Sequence, residues 1–219
     1  LPAALRLLTA SYDGTARIWG AAGESLCALE GHGEAVMSAV FSADGSRVLT
    51  AAYDGTSKVW CAKTAACLQT FTGKGGGLYT AVFSQDESRV LTASADGIAR
   101  LWRVDTGECE WALQGHDESY MRSATISSDG ARLLTASADW TAQLWLVQDA
   151  GPPLPERTLR GHSGWVNTAV FSPDASLVLT AAADNTARLW RTRTGRCLGT
   201  FRGHTFWVRS AVFSPDVRH

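Results

Sequence analysis

Threonine, histidine and aspartate return together along this sequence at spacings that could bring them within reach of one another. His32, Thr50 and Asp54 form one set, His116, Thr135 and Asp139 a second, and His162, Thr180 and Asp184 a third. A hydroxyl, an imidazole and a carboxylate in one hydrogen-bonded line are the working parts of an acyl-transfer hydrolase. Such an enzyme needs the constellation once, whereas here it recurs unit after unit, and a tryptophan follows each aspartate by six residues, at Trp60, Trp145 and Trp190. Recurrence of this kind fits internal bonding better than catalysis. A second candidate chemistry is the run Gly73-Lys74-Gly75-Gly76-Gly77. A phosphate-binding loop needs GxxxxGK followed by Ser or Thr at the start of a helix. This run has no Ser or Thr there and leads into a strand-like segment, so it gives no basis for nucleotide binding.

The elements that would position these residues come from the repeat itself. LTASYDGTARIW ends at Trp19, LTAAYDGTSKVW at Trp60, LTASADGIARLW at Trp102, LTASADWTAQLW at Trp145 and LTAAADNTARLW at Trp190. The tryptophans are 41, 42, 43 and 45 residues apart. A period in this range marks stacked supersecondary units, and units of this kind bury their apolar faces only against each other. Within one unit, 36–42 and 47–52 are apolar almost throughout and read as strands covered on both faces. Tyr53-Asp54-Gly55 makes an Asp-Gly hairpin turn, 56–60 is a third strand and 66–71 a fourth. No helical period interrupts them.

Composition narrows the function classes. The 219 residues suffice for a core that removes roughly 70% of the unfolded surface from water. A net charge of −1 with 19% charged residues gives no general nucleic-acid or membrane surface, and no apolar run is long enough to span a bilayer. The opening LRLLTAS continues into the repeat as ARLLTAS does later, so it reads as a strand and not as a leader. The absence of an initiator methionine points to a piece of a longer protein. Cys67, Cys109 and Cys197 stand six residues before the glycine that closes their units. Equivalent positions in different units are held apart, so these cysteines are expected unpaired, free of metal and buried in apolar strands. An intracellular, reducing setting follows; cytoplasm and nucleus are not distinguished.

Gly161-His162, then AVFSPD, then LTAAADNTARLW, together with their copies, resemble the WD40 repeat of β-propellers. The resemblance covers nearly the whole chain. The family's aspartate after the tryptophan is missing: Gly20, Cys61, Arg103, Leu146 and Arg191 stand there. The turn aspartates Asp13, Asp54, Asp96, Asp139 and Asp184 are all present. The resemblance implies an all-β fold of radially arranged four-stranded antiparallel blades, with a hydrogen-bonded tetrad inside each. A line from Trp190 to Thr180 to His162 to Asp184 satisfies every donor and acceptor. The same holds for Trp60, Thr50, His32 and Asp54, and for Trp145, Thr135, His116 and Asp139. Lys74 replaces the histidine in one unit and cannot accept from Thr92, so that blade is expected to be the loosest.

The organisation expected is a single propeller region over 1–219, with five blade equivalents. Residues 1–30 supply strands two to four of a first blade, 31–72, 73–114, 115–160 and 161–202 are complete repeats, and 203–219 is a lone first strand. That last strand either closes a ring of five, bringing His204 to Thr9, Asp13 and Trp19, or leaves an open arc of a larger propeller. VQDAGPPLPE at 147–156 reads as a Pro-rich bulge on one rim.

Function has to come from positions where the repeats differ. Six residues before the first-strand aromatic stand Ala35, Gly77, Tyr120, Trp165 and Trp207, and four before it Met37, Tyr79, Arg122, Asn167 and Arg209. The resemblance places both sets on the rim of the narrow opening where partners dock. Trp140 replaces a turn glycine on the same rim. Tyr, Trp and Arg concentrate binding energy at interfaces; the alternative is that Trp165 and Trp207 only shield the loop above the core. The expected function is a non-catalytic scaffold that binds a protein or peptide, acidic or phosphorylated, through Tyr79, Tyr120, Arg122, Trp140, Trp165, Asn167, Trp207 and Arg209. No cofactor, metal or catalytic residue is implied. Two alternatives remain: a substrate receptor of a ubiquitin ligase, whose Trp-Asp-x-Arg signature Trp190-Arg191-Thr192-Arg193 meets only at its ends, and a sensor region of a larger signalling protein.

Overall fold

The computed structural model describes residues 5–73, 75–116, 119–148 and 150–214, and every regular element among them is a strand. The first sheet holds β1 (Arg6–Ala10), β2 (Ala16–Gly20) and β3 (Ser25–Leu29). The second holds β4 (Val36–Phe41), β5 (Arg47–Ala52), β6 (Thr56–Cys61) and β7 (Cys67–Thr72). The third holds β8 (Leu78–Phe83), β9 (Arg89–Ser94), β10 (Ala99–Arg103) and β11 (Cys109–Leu113). The fourth holds β12 (Met121–Ile126), β13 (Arg132–Ser137), β14 (Ala142–Leu146) and β15 (Leu154–Leu159), and the fifth β16 (Val166–Phe171), β17 (Leu177–Ala182), β18 (Ala187–Arg191) and β19 (Cys197–Phe201). Each sheet is an antiparallel meander in chain order. The turns follow from their residues. Asp54 Oδ1 accepts the Thr56 N–H at 2.9 Å and the Thr56 hydroxyl at 2.7 Å, while Gly55 takes a φ of +80°. That left-handed conformation suits a residue without Cβ.

First strands lie against first strands: β4 against β8, β8 against β12 and β12 against β16. Fourth strands lie outermost and are largely exposed. This is the radial arrangement of a propeller. It also explains the unbroken apolar runs, because each core sits between two sheets. Leu49 and Ala51 face forward and pack with Leu78, Ala81, Val90 and Trp102 of the third sheet. Val48 and Ala52, on the other face of β5, pack with Ala16, Ile18 and Leu29 of the first. The same exchange joins the third sheet to the fourth and the fourth to the fifth. Each large aliphatic side chain so buried contributes on the order of 2 kcal/mol.

The arc is open. Among the described residues β1 has no strand on its free ladder, and Leu7 is 52% exposed where the equivalent Val48 is fully buried. Residues 202–213 carry no strand, and Val208 N–H donates to Ala182 O at 3.0 Å. Val36 N–H makes the same bond to Ser11 O at 2.9 Å, so the tail docks on the fifth sheet as β4 docks on the first. His204 is exposed and makes no hydrogen bond to Thr9, Asp13 or Trp19 among the described residues. Of the two arrangements expected, the described residues show the open arc.

Two further expectations change. Cys67 and Cys109 are exposed and Cys197 is half-buried, because they lie at the start of outer strands; all are free thiols. The Pro-rich segment is not wholly a loop. Its last residues, Leu154, Pro155 and Glu156, begin β15, where Pro155 sits opposite Trp145. Proline is tolerated there because β15 is an edge strand and Pro155 stands at the bulge, where the ladder is already interrupted. The bulge beside Trp145 turns Glu156 toward Arg132, at 2.8 Å. No helix among the described residues is long and apolar enough to cross a membrane.

Candidate docking face

The recurring polar sets lie inside the sheets. Trp190 Nε1 donates to Thr180 Oγ1 at 2.9 Å, His162 Nε2 lies 2.7 Å from the same oxygen, and His162 Nδ1 lies 2.8 Å from Asp184 Oδ2. In the fourth sheet Trp145, Thr135, His116 and Asp139 are linked at 3.0, 2.9 and 2.8 Å. In the second, Trp60, Thr50, His32 and Asp54 are linked at 2.8, 2.7 and 3.1 Å. Asp only accepts and the indole only donates, so the network assigns the imidazole proton to Nδ1 and leaves Nε2 to accept from threonine. Burial holds the imidazoles of His32 and His162 below their ordinary pKa, against the opposing pull of Asp54 and Asp184. Thr50, Thr135 and Thr180 are completely buried. A nucleophile must reach a substrate, and these hydroxyls reach only their own sheet.

The third sheet is built differently. Lys74 lies outside the described residues, so the consequence expected of it is untested. What stands against Asp96 is Arg100, whose Nη2 lies 2.6 Å from Asp96 Oδ2. Sequence reasoning missed this pair. An arginine four residues after the turn aspartate also stands at Arg188, where Asp184 meets His162, so the sequence carries no signal specific to this pair. The first sheet keeps only Trp19 Nε1 on Thr9 Oγ1, at 2.9 Å.

The rim residues owe their direction to a backbone irregularity. In the second to fifth sheets the pairing of first and second strands slips by one residue, and the residues left out are Met37, Tyr79, Arg122 and Asn167. A β-bulge re-aims the side chain it leaves unpaired. These bulge positions coincide with the variable set four residues before the aromatic. Around them lies a row of rings. Tyr53 meets Tyr79 edge-on at 6.1 Å. Arg122 Cζ lies 5.4 Å from the Tyr79 ring centre and 5.7 Å from that of Trp165. Trp165 meets Trp207 at 5.8 Å, and Trp207 stacks on Phe206 at 5.2 Å. Tyr53 and Phe206 were not foreseen. Gly77 explains Tyr53, since a Cβ there would stand 2.5 Å from the tyrosine ring. Burial raises the Tyr79 hydroxyl above its ordinary pKa, with Tyr53 adding to the effect and Arg122 opposing it.

The other expected rim residues behave variously. Tyr120 and Trp140 are about half exposed, and Trp140 holds a φ of +72° where three other units have glycine and the fifth has Asn185 at +66°. Arg209 is exposed and touches none of the rings. Asn167 is buried, and its Nδ2 donates to Val208 O at 2.8 Å. That bond ties it to the tail. Among the described residues no group of histidine, cysteine, aspartate and glutamate is arranged to hold a metal ion.

Radial four-stranded sheets joined by internal Trp-Thr-His-Asp lines define a propeller built from repeats. The family model described as WD domain, G-beta repeat, matches residues 23–61, 65–103, 107–145, 154–191 and 195–219, and the chain belongs to that family. The matched unit straddles two sheets: 23–61 contains β3 together with β4, β5 and β6. No curated protein matches the chain. Domains of this family generally mediate protein–protein interaction and are typically non-catalytic scaffolds.

Proposed function

We propose that this chain is a non-catalytic interaction scaffold that docks a protein or peptide segment on the face lined by Tyr79, Tyr120, Arg122, Trp140, Trp165 and Trp207. One observation carries the reading: a continuous row of partly exposed aromatic rings, with an arginine between two of them, crosses neighbouring sheets on the bulged edge. Trp165 and Trp207 are 40% and 46% exposed, more than shielding of the core requires. Aromatic rings supply large contact area at low cost in side-chain entropy, and arginine is the cation that stacks on them. Arg122 and Arg209 favour an acidic or phosphorylated segment over a basic one. Affinity capture with the wild-type chain and with the Trp165→Ala/Trp207→Ala variant tests the reading. Proteins retained by the wild type and lost by the folded variant are the expected result; equal recovery by both would remove this face as the docking site.

A further inference from the structure

Arg122 differs from the arginines around it. Arg47 pairs with Glu87, Arg89 with Glu110, Arg100 with Asp96 and Arg132 with Glu156. Arg122 has no carboxylate and no hydrogen bond among the described residues, and its Nε is sealed from solvent without an acceptor. Two rings lie beside its guanidinium, with Cζ 5.4 Å from the centre of Tyr79 and 5.7 Å from that of Trp165. Only the Nη end remains for a ligand. The two rings and the buried Nε keep water from part of the guanidinium, so a counter-charge at the Nη end is screened less than at an ordinary surface arginine.

We propose that Arg122 is the anchor for one carboxylate side chain, of Asp or Glu, on an extended peptide segment lying along this face; the proposal rests on the docking reading above. Charge complementarity selects the occupant. One guanidinium fork balances one carboxylate in bidentate geometry. A phosphate monoester carries nearly two charges and is best met by several cations, while Arg209 makes no contact with this cluster.

The test is selection of a displayed random peptide library on the whole chain, followed by binding measurements with synthetic copies of the enriched peptides. Enriched peptides are expected to share an Asp or Glu at one position. Changing that residue to its amide should weaken binding to the wild type by at least about tenfold, and to Arg122→Gln hardly at all. Arg122→Lys should show the same loss of coupling, since an ammonium offers no planar fork; it also carries the test if Arg122→Gln fails to fold. An amide change that costs the same in wild type and variants overturns the proposal. A phosphoserine peptide binding about tenfold tighter than its Glu counterpart overturns it in favour of phosphate. Peptides without a shared acid that still lose binding on Trp165→Ala sink the carboxylate and leave the docking face standing. Peptides indifferent to both Trp165→Ala and Arg122→Gln sink both.

Discussion

Arg100 reaches Asp96 at 2.6 Å on the third sheet, in the place where His32 and His116 meet Asp54 and Asp139 on the sheets to either side. One turn carboxylate is thus satisfied in two ways, by an imidazole from the preceding loop or by a guanidinium from its own hairpin. The second solution is local: donor and acceptor are four residues apart. The first ties the entry loop to the second strand through Thr50 or Thr135.

Arg100→Met tests whether the guanidinium holds this sheet together. Both partners are mostly shielded, with side-chain exposures of 10% and 18%. Removing one leaves the other charge unpaired, and we expect a loss of about 2 kcal/mol, discounted from the fully buried case because water still reaches the pair. Urea unfolding measures it. A midpoint equal to that of the wild type would show that Asp96 does not need this partner.

Thr180→Val and Thr9→Val form a matched pair. Thr180 is completely buried and receives the Trp190 indole while facing His162. Valine keeps the volume but strands both groups, at an expected cost of about 1–3 kcal/mol. Thr9 receives the Trp19 indole at 2.9 Å on the exposed face of β1, where water can take its place, and there the cost should stay within about 0.5 kcal/mol. Equal thermal shifts for the two variants would contradict the argument, since only burial separates them.

Acid should weaken the fold in two stages. Burial keeps His32 and His162 below the ordinary 6.5, so between that value and the folded one the unfolded chain binds more protons, and stability falls as pH drops through this window. Asp184 is pushed the same way for another reason. Burial alone would raise it, but hydrogen bonds from Thr186, His162 and the Ser163 N–H overcome that and bring it to about 2. Its contribution is fully present above 3.8 and is lost as pH falls toward 2. Unfolding midpoints followed from pH 8 to 2 should show both steps, and His162→Gln should diminish the first and shrink the second, since the imidazole is one of the groups that lower Asp184. A flat profile between pH 7 and 5 would contradict the first step.

The sheets were legible in the sequence because the repeat states each strand several times over, and the spacing of Trp, Thr and Asp fixes the register between second and third strands. The turns were legible for the same reason. What stayed hidden depends on neighbours. The cysteines read as buried because their segments are apolar, but an outer strand has no sheet on its far side to cover it. Arg100 was hidden because Arg188 has the same spacing from its turn aspartate and yet leaves that carboxylate to histidine. The rim was half legible: variation picked out Tyr79 and Arg122, whereas the bulge that turns them outward is a property of backbone pairing. Asn167 looked like its neighbours in the alignment of units, yet the tail claims it through Val208.

Trp140 supplies a prediction that couples stability to docking. It occupies the turn position held by Gly14, Gly55 and Gly97, all with φ near +80°, and takes +72° itself. A bulky side chain in that region costs on the order of 1–3 kcal/mol unless its contacts compensate. At Gly97 a Cβ would stand 2.8 Å from Ser119 O, so a side chain is excluded there by the loop of the next unit. Trp140 is 51% exposed and makes no ring contact among the described residues, so little in the fold offsets its strain. Trp140→Gly should therefore raise the unfolding free energy by about 1 kcal/mol. If the ring serves the docking face, the same variant should retain less of whatever the wild type captures. A more stable protein with undiminished capture would leave the strain without a use, and a less stable one would mean that the indole holds the turn together.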